Sequence, residues 1–274
     1  MQSPLKIFRD KKARGEKLAM VSLYDSPSAV LACDAGVDSI LIGDSLGNVI
    51  LGYLSTLPVT LDDMLRHTGA VLRGVTKSSR PNIPVIVDLP FGYCADERRA
   101  LEAAIALMQN GAHAVKIEGA STRTLQAVDV LVQNGIPVMG HLGFTPQSSL
   151  QKSEVVQGRT PNDAQRICDE AKQLQAAGCF GIVLEAVALE TAGRVTRESE
   201  IPTVGIGSGA SCDGQVLVWH DLIGLSPQNF RFAKRFADAR GVLAQATADY
   251  VDAVHAQSFP KDEHGWAMKT EHEA

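Results

Sequence analysis

Five short apolar runs of this chain each end in a side chain able to do acid–base or metal chemistry: ILIGDS at Asp44, PVIVDLP at Asp88, AVKIEG at Lys116 and Glu118, PVMGHLG at His141 and GIVLEA at Glu185. A lone carboxylate after a hydrophobic run reads as the cap of a following helix. Asp44 and Asp88 together read as a metal pair, because two carboxylates with water and substrate oxygens make the hard oxygen set that Mg2+ takes. Lys116 and Glu118 lie two apart in a strand and so point to the same side. They form either a structural buried ion pair or an anion-handling pair, in which the lysine neutralises a substrate carboxylate or the charge that develops on deprotonation. Glu185 has no basic residue near it in sequence, so burial would raise its pKa and suit it to remove a proton next to a carbonyl. His141 could be a ligand, an acid or an oriented donor. The segment GIGSGASCDG, with Gly205, Gly207 and Gly209, could cradle a phosphate at a strand end; a tight turn is the plainer account of it.

These residues share a site only if the runs that carry them are parallel strands of one closed sheet. The local grammar favours this. Ala35-Gly36, Asn110-Gly111, Asn134-Gly135 and Ala177-Gly178 each stand between a helical stretch and a β-branched run, and glycine just past a helix closes its last turn in the left-handed conformation. Helical patterns fill the intervals: LDDMLRHTGAVLRGV, DERRALEAAIALMQN, TRTLQAVDVLVQN and PNDAQRICDEAKQLQAAG. With LAMVSLYD, PTVGIGSG and QVLVWHDLIG as further strands and RGVLAQATADYVDAVHAQ as a closing helix, the chain has about eight strand–helix units, which predicts a closed (β/α)8 TIM barrel rather than an open doubly wound sheet. One domain spanning residues 1–274 is expected, with an N-terminal capping helix in about residues 1–17 and a peripheral tail from about 259 to 274. The stretch from Gly143 to about Thr160 is a lid candidate.

The whole-chain numbers agree. The chain has 274 residues, 45% hydrophobic and 21% charged, as in an ordinary globular protein. A formal net charge of −5 offers no basic field for nucleic acid. The five cysteines include no CxxC pair, so neither a zinc site nor a disulfide framework is indicated, and reduced thiols in a cytoplasmic protein fit. No uncharged apolar run approaches the roughly 20 residues that span a bilayer, and LAMVSLY meets Asp25 too early to be a signal-peptide core.

The ordered motifs LYDSPSA, IGDSLG, STLPVTLDDMLRHT, DLPFGY, VKIEG, GHLGFTPQS, VVQGR, VLEAV, PTVGIGSG, DGQVLVWHD, FRFAKRF and FPKDEH run from about residue 5 to 264, and in this the chain resembles the ketopantoate hydroxymethyltransferase family. The resemblance implies a homodecamer of (β/α)8 barrels of the phosphoenolpyruvate/pyruvate superfamily, cytoplasmic and acting in pantothenate biosynthesis. It implies transfer of a hydroxymethyl group from 5,10-methylenetetrahydrofolate to 3-methyl-2-oxobutanoate, by Mg2+-assisted enolisation with one ion per subunit, to give 2-dehydropantoate. Residue by residue, it makes Asp44 and Asp88 metal ligands that also face substrate, Glu118 the third acidic metal-site residue, Ser45 and Lys116 substrate contacts, Glu185 the general base and His141 an active-site histidine. The expected partners are a small oxo acid, a folate and further copies of the chain, with neither nucleic acid nor membrane. Two departures stand out. Residues 150–154 read LQKSE where the family usually has a Gly-Gly-aromatic-basic stretch, and Ala186 replaces a cysteine common after the catalytic glutamate. A superfamily lyase or mutase acting on another oxo acid, and a non-catalytic oligomeric homologue, are the alternative readings.

Overall fold

The four glycines expected to close helices ahead of strands all adopt left-handed backbone, with φ of 94° at Gly36, 107° at Gly111, 78° at Gly135 and 99° at Gly178. A computed structural model of the chain describes residue 3 and residues 5–151 and 154–268. Its first elements are α1 (Lys6–Arg14), β1 (Leu18–Ser22), α2 (Ser26–Asp34), β2 (Ser39–Ile42), α3 (Leu46–Val49), α4 (Leu61–Lys77) and β3 (Val85–Asp88). There follow α5 (Glu97–Gln109), β4 (Ala114–Glu118), α6 (Thr122–Gln133), β5 (Val138–Gly143), α7 (Pro161–Ala176), β6 (Gly181–Glu185), α8 (Leu189–Glu198), β7 (Thr203–Ile206), β8 (Gly214–Val218), α9 (Trp219–Leu222) and α10 (Ala239–His255). Side chains in the preceding turn start several helices. Asp25, Asp96, Ser121 and Thr160 each accept a backbone N–H at their helix's start, and Thr60 with Asp63 forms a reciprocal capping box on α4.

All eight strands are parallel and close into one barrel in the order β1 to β8. Each strand sends an apolar residue into an interior cluster that includes Met20, Leu41, Ile86, Met139, Val183 and Val216. Side chains alternate along a strand, so the next inward layer lies two residues on. Counting from Leu41, Ile86, Ala114, Met139 and Val183, that layer is Gly43, Asp88, Lys116, His141 and Glu185. Asp88, Lys116, His141 and Glu185 therefore form the layer directly above an apolar plug, with Glu118 two residues beyond Lys116 and Asp44 just past β2, at the C-terminal ends of the strands where such barrels keep their sites.

The other end of the barrel is sealed by α1. Phe8, 1% exposed, enters the interior cluster and meets Phe180 edge to face at 5.4 Å. Lys11 bonds Asp38 at 2.7 Å and Lys12 bonds Asp213 at 2.9 Å, which pins the helix to the turns ahead of β2 and β8. The helix that covers this end runs over Lys6–Arg14.

Three expectations are corrected. Strand and helix do not alternate to the end, since residues 207–213 join β7 to β8 without a helix. The stretch RGVLAQATADYVDAVHAQ is helical as α10, but it does not close the barrel: none of its residues is buried, and Val242, Leu243 and Tyr250 are 68%, 53% and 58% exposed. An apolar pattern specifies that a helix will be covered, without saying by what. Likewise WHDL, expected to prolong the last strand, turns into α9. Among the described residues no helix is long and apolar enough to cross a membrane.

Replacing Phe8 by alanine should remove the plug at the cost of about 3–5 kcal/mol of unfolding free energy, the usual range for a buried phenylalanine. Denaturant unfolding measures this, and an unmoved midpoint would show that α1 does not seal the barrel.

Candidate active site

Strand register sets two polar pairs opposite one another, and Glu185 beside the end of β5, before any side chain is considered. Asp88 pairs with Lys116, Glu118 with His141, and Gly143 with Glu185. The side chains then join into one chain of contacts. Lys116 Nζ lies 3.0 Å from Asp88 Oδ1 and 3.2 Å from His141 Nδ1. His141 Nδ1 lies 3.3 Å from Glu118 Oε1, and His141 Nε2 lies 3.3 Å from Glu185 Oε2. Asp44 enters through its peptide N–H, which donates to Asp88 Oδ2 at 3.1 Å. All five runs therefore meet at one mouth. Neither aspartate caps a helix: Ser45 precedes the first residue of α3 with no side-chain cap bond, and Asp88 is engaged with Lys116 and with the Asp44 peptide.

The electrostatics follow from burial and crowding. Burial, and then the charges of Asp88 and Glu118, push the Asp44 carboxyl up to about 8. Burial likewise raises Asp88, against the pull of Lys116. Burial acts to lower Lys116, but Asp88, Glu118 and Asp44 outweigh it and hold the ammonium firmly charged. Burial also acts to raise Glu118, yet the hydrogen bond and charge of His141, with Lys116, bring it below the ordinary value. For His141, burial and Lys116 favour the neutral ring, and Glu118 and Glu185 reverse the balance and raise it. An ammonium only donates, so a neutral ring bonded to Lys116 at Nδ1 carries its proton on Nε2, facing Glu185; the charged ring has a proton there as well. At 3.3 Å, Nε2 has no well-aligned hydrogen bond, so the His141–Glu185 link is a charge contact.

Glu185 differs from its expected setting. Its side chain is 21% exposed, the most open of the group, and its cationic neighbour His141 comes from the adjacent strand rather than from nearby sequence. What is tightly held is its backbone. The Glu185 carbonyl accepts from Phe144 N at 2.8 Å, and a Cβ on Gly143 would collide with that oxygen. The next residue, Ala186, takes φ of 48°, which side-chain-bearing residues seldom adopt. Ser208 Oγ donates to Leu184 O at 2.7 Å and accepts from Val187 N at 3.0 Å, bracketing the strained peptide. The glycine-rich segment 205–209 thus contains a brace for β6, and no helix opens on it.

Two groups escaped the reading of strand ends. Tyr24, fully buried, bonds Ser22 Oγ at 3.1 Å and Ser45 Oγ at 2.7 Å, and so orients Ser45 at the mouth. Gln147 donates its peptide N–H to Glu118 Oε2 at 3.0 Å, and its side-chain amide to Asp44 Oδ2 at 2.8 Å and Leu89 O at 3.0 Å. Its only sequence signal is Pro146 opening a turn after β5. That turn is a short 3-10 helix, Pro146–Gln151, and the rest of the expected lid returns to the barrel through Gln157, paired with Val187. Of the divergent stretch 150–154, Lys152 and Ser153 lie outside the described residues.

The donor set suits a hard divalent cation at Asp44 and Asp88: both are buried carboxylates, and Asp88 Oδ1 faces the Lys116 ammonium at 3.0 Å as an ion pair without an aligned hydrogen bond. Glu118 has both oxygens engaged, by His141 and by Gln147 N. Among the described residues no three His, Cys, Asp or Glu side chains form a ready-made ligand group.

A parallel eight-stranded barrel with charged side chains gathered at the C-terminal ends of its strands is the arrangement of a barrel enzyme. Solved structures of similar fold include a phosphoenolpyruvate phosphomutase from Streptomyces platensis (TM-score 0.64, 14% identity, 96% of this chain and 92% of that one). A phosphonopyruvate hydrolase complex with oxalate and Mg2+ is similar too (TM-score 0.63, 12% identity, 99% and 93%), as is 2,3-dimethylmalate lyase (TM-score 0.60, 18% identity, 95% and 90%). A family model described as ketopantoate hydroxymethyltransferase matches residues 3–262. Proteins named 3-methyl-2-oxobutanoate hydroxymethyltransferase are 47% identical in Chloroflexus aurantiacus (98% of this chain, 94% of that one) and 45% identical in Carboxydothermus hydrogenoformans (96% and 95%). The chain belongs to the ketopantoate hydroxymethyltransferase family, and this decides between a transferase and a superfamily lyase or mutase in favour of the transferase.

The raised Asp44 carboxyl has a stability consequence. Folded Asp44 keeps its proton up to about 8, whereas an unfolded aspartate loses it near 3.8. Between these values the folded state binds more protons, so metal-stripped protein loses stability as pH rises through the window. Asp44→Asn should therefore gain melting temperature over the parent progressively from about pH 4 to pH 8 and no further above it. A gain independent of pH in thermal melts would refute the buried neutral acid.

Proposed function

We propose that the chain transfers a hydroxymethyl group from 5,10-methylenetetrahydrofolate to 3-methyl-2-oxobutanoate, yielding 2-dehydropantoate for pantothenate biosynthesis. The observation that carries this reading is the continuous line Asp88–Lys116–His141–Glu185. It sets a fixed cation between a buried carboxylate pair and a more open carboxylate at one barrel mouth. Asp44 and Asp88 would hold Mg2+, with Glu118 behind them as an outer carboxylate. A divalent cation there would supply Lewis-acid stabilisation of the charge that develops when the substrate's C3 loses its proton.

The chain's own residues supply the remaining steps. Ser45, oriented by Tyr24, and the Lys116 ammonium bind and orient the oxo-acid oxygens. Glu185 takes the C3 proton, with His141 Nε2 facing its carboxylate at 3.3 Å. Its greater exposure is what a base needs if substrate is to reach it. The C3 carbanion equivalent then bonds to the one-carbon unit of the folate, and water completes the hydroxymethyl group, releasing tetrahydrofolate. In deuterated water with Mg2+, the protein should exchange the C3 hydrogen of 3-methyl-2-oxobutanoate. Glu185→Gln should slow that exchange by at least about a hundredfold, the lower end of what a positioned base contributes. Exchange at the parent rate in the variant would remove Glu185 from the role.

We further propose that the enzyme is a cytoplasmic homo-oligomer, a decamer as the family resemblance implies, with one metal ion per subunit and a single barrel domain. The uncovered apolar side chains of α10 support association, since an exposed helix face of this size is normally buried by a partner. Light scattering on the eluted protein should give a mass near ten times that of the chain, and a monomer at micromolar concentration would rule association out.

A further inference from the structure

Among the described residues of the loop after β5, Gln147 is the one whose bonds reach the ends of three strands. Its peptide N–H holds Glu118 at the end of β4, its amide holds Asp44 just beyond β2, and the same amide holds the Leu89 carbonyl just beyond β3. The turn that presents it is itself braced. Ser148 N donates to Thr145 O at 3.0 Å, Thr145 is buried, and Phe144 N is tied to the Glu185 carbonyl. Gln147 is thus held from both sides, by β5 and β6 behind it and by the acid cluster in front.

We propose that Gln147 is a positioning residue for the metal carboxylates, and that through it divalent-cation binding at Asp44 and Asp88 and ordering of residues 145–151 are one linked equilibrium. The inference rests on the metal reading of that pair given above. A cation that fixes the Asp44 side chain also fixes the acceptor on which the Gln147 amide hangs, and the ordered amide in turn limits the rotamers open to Asp44. Linkage makes the effect reciprocal: whatever cation binding adds to the order of the loop, the ordered loop adds to cation affinity. Glu118 extends the coupling, because the peptide N–H that orients it belongs to the same residue.

The test uses Mn2+ as the probe, with affinity read from the electron paramagnetic resonance signal of the free ion and loop order from hydrogen exchange of residues 145–151 with and without Mn2+. The variants are Gln147→Met, which keeps the side chain's length without its donors, and Gln147→Ala, which checks that the result is not peculiar to methionine; thermal melts confirm that both fold. In the parent, Mn2+ should slow exchange in the segment. In both variants Mn2+ should bind about 5- to 50-fold more weakly, the size of a usual coupling, and exchange in the segment should no longer respond to it. Parent-like affinity, or a parent-like response of the segment to Mn2+, would overturn the linkage while leaving the metal site standing. Mn2+ affinity unaffected by Asp44→Asn would instead overturn the metal reading and the linkage with it.

Discussion

One ammonium among four carboxylates is the constraint on which the rest of this molecule turns. Each buried ion costs several kcal/mol even after relaxation, and Lys116 stands within ion-pair distance of Asp88 alone. His141 adds a second positive charge when protonated and still leaves negative charge in excess. The folded chain relieves the excess by holding Asp44 neutral up to about 8. A divalent cation would relieve it differently, by letting both aspartates ionise, which is why crowding of this kind is consistent with a metal-using site rather than with a structural ion pair. The apolar plug beneath and the hydrogen bonds from Gln147, Tyr24 and the strand peptides all serve to keep this unfavourable layer in one arrangement.

Much of that arrangement was legible in the sequence, because it is local. The helix-closing glycines, the β-branched strands and the strand-end carboxylates are each specified within a few residues, and the two-residue alternation carries Ile86 to Asp88 and Met139 to His141 without reference to the remainder of the fold. What was not legible depends on where elements lie relative to one another. Glu185 looked free of basic neighbours because His141 precedes it by a whole strand–helix unit, and only the pairing of β5 with β6 brings them together. The α10 helix reads as a closing element because its apolar face says nothing about which surface covers it. Gln147 lies in a polar turn with no periodicity, and its importance comes from reaching back to a carboxylate 103 residues earlier.

Family membership and geometry answer different questions here. The relatives, 44–47% identical over nearly the whole chain, define the reaction class. The distant barrels, at 12–18% identity, share only the scaffold. Neither says how this chain accommodates Ala186, and the geometry does. The Ser208 hydroxyl satisfies the N–H of Val187 and the carbonyl of Leu184 on either side of a left-handed Ala186. Backbone strain of about 1–3 kcal/mol persists only where surrounding contacts enforce it, and here they enforce it directly beside Glu185.

The two ends of the site are therefore held by different means, and the difference follows from what each must do. Asp44 and Asp88 are buried, so charge placed between them acts through a poorly screened medium, where electrostatic stabilisation is greatest. Glu185 must meet an incoming carbon acid, and full burial would close the approach. Its side chain is left partly open while its backbone is fixed by Phe144, Ala186 and Ser208, so that direction is set by the peptide and access by the side chain. Lys116 and His141 connect the two ends through contacts of 3.0–3.3 Å. A change in charge at the aspartates therefore reaches, through Lys116, the imidazole that faces Glu185, so that the buried and the open ends of the site are electrostatically one unit.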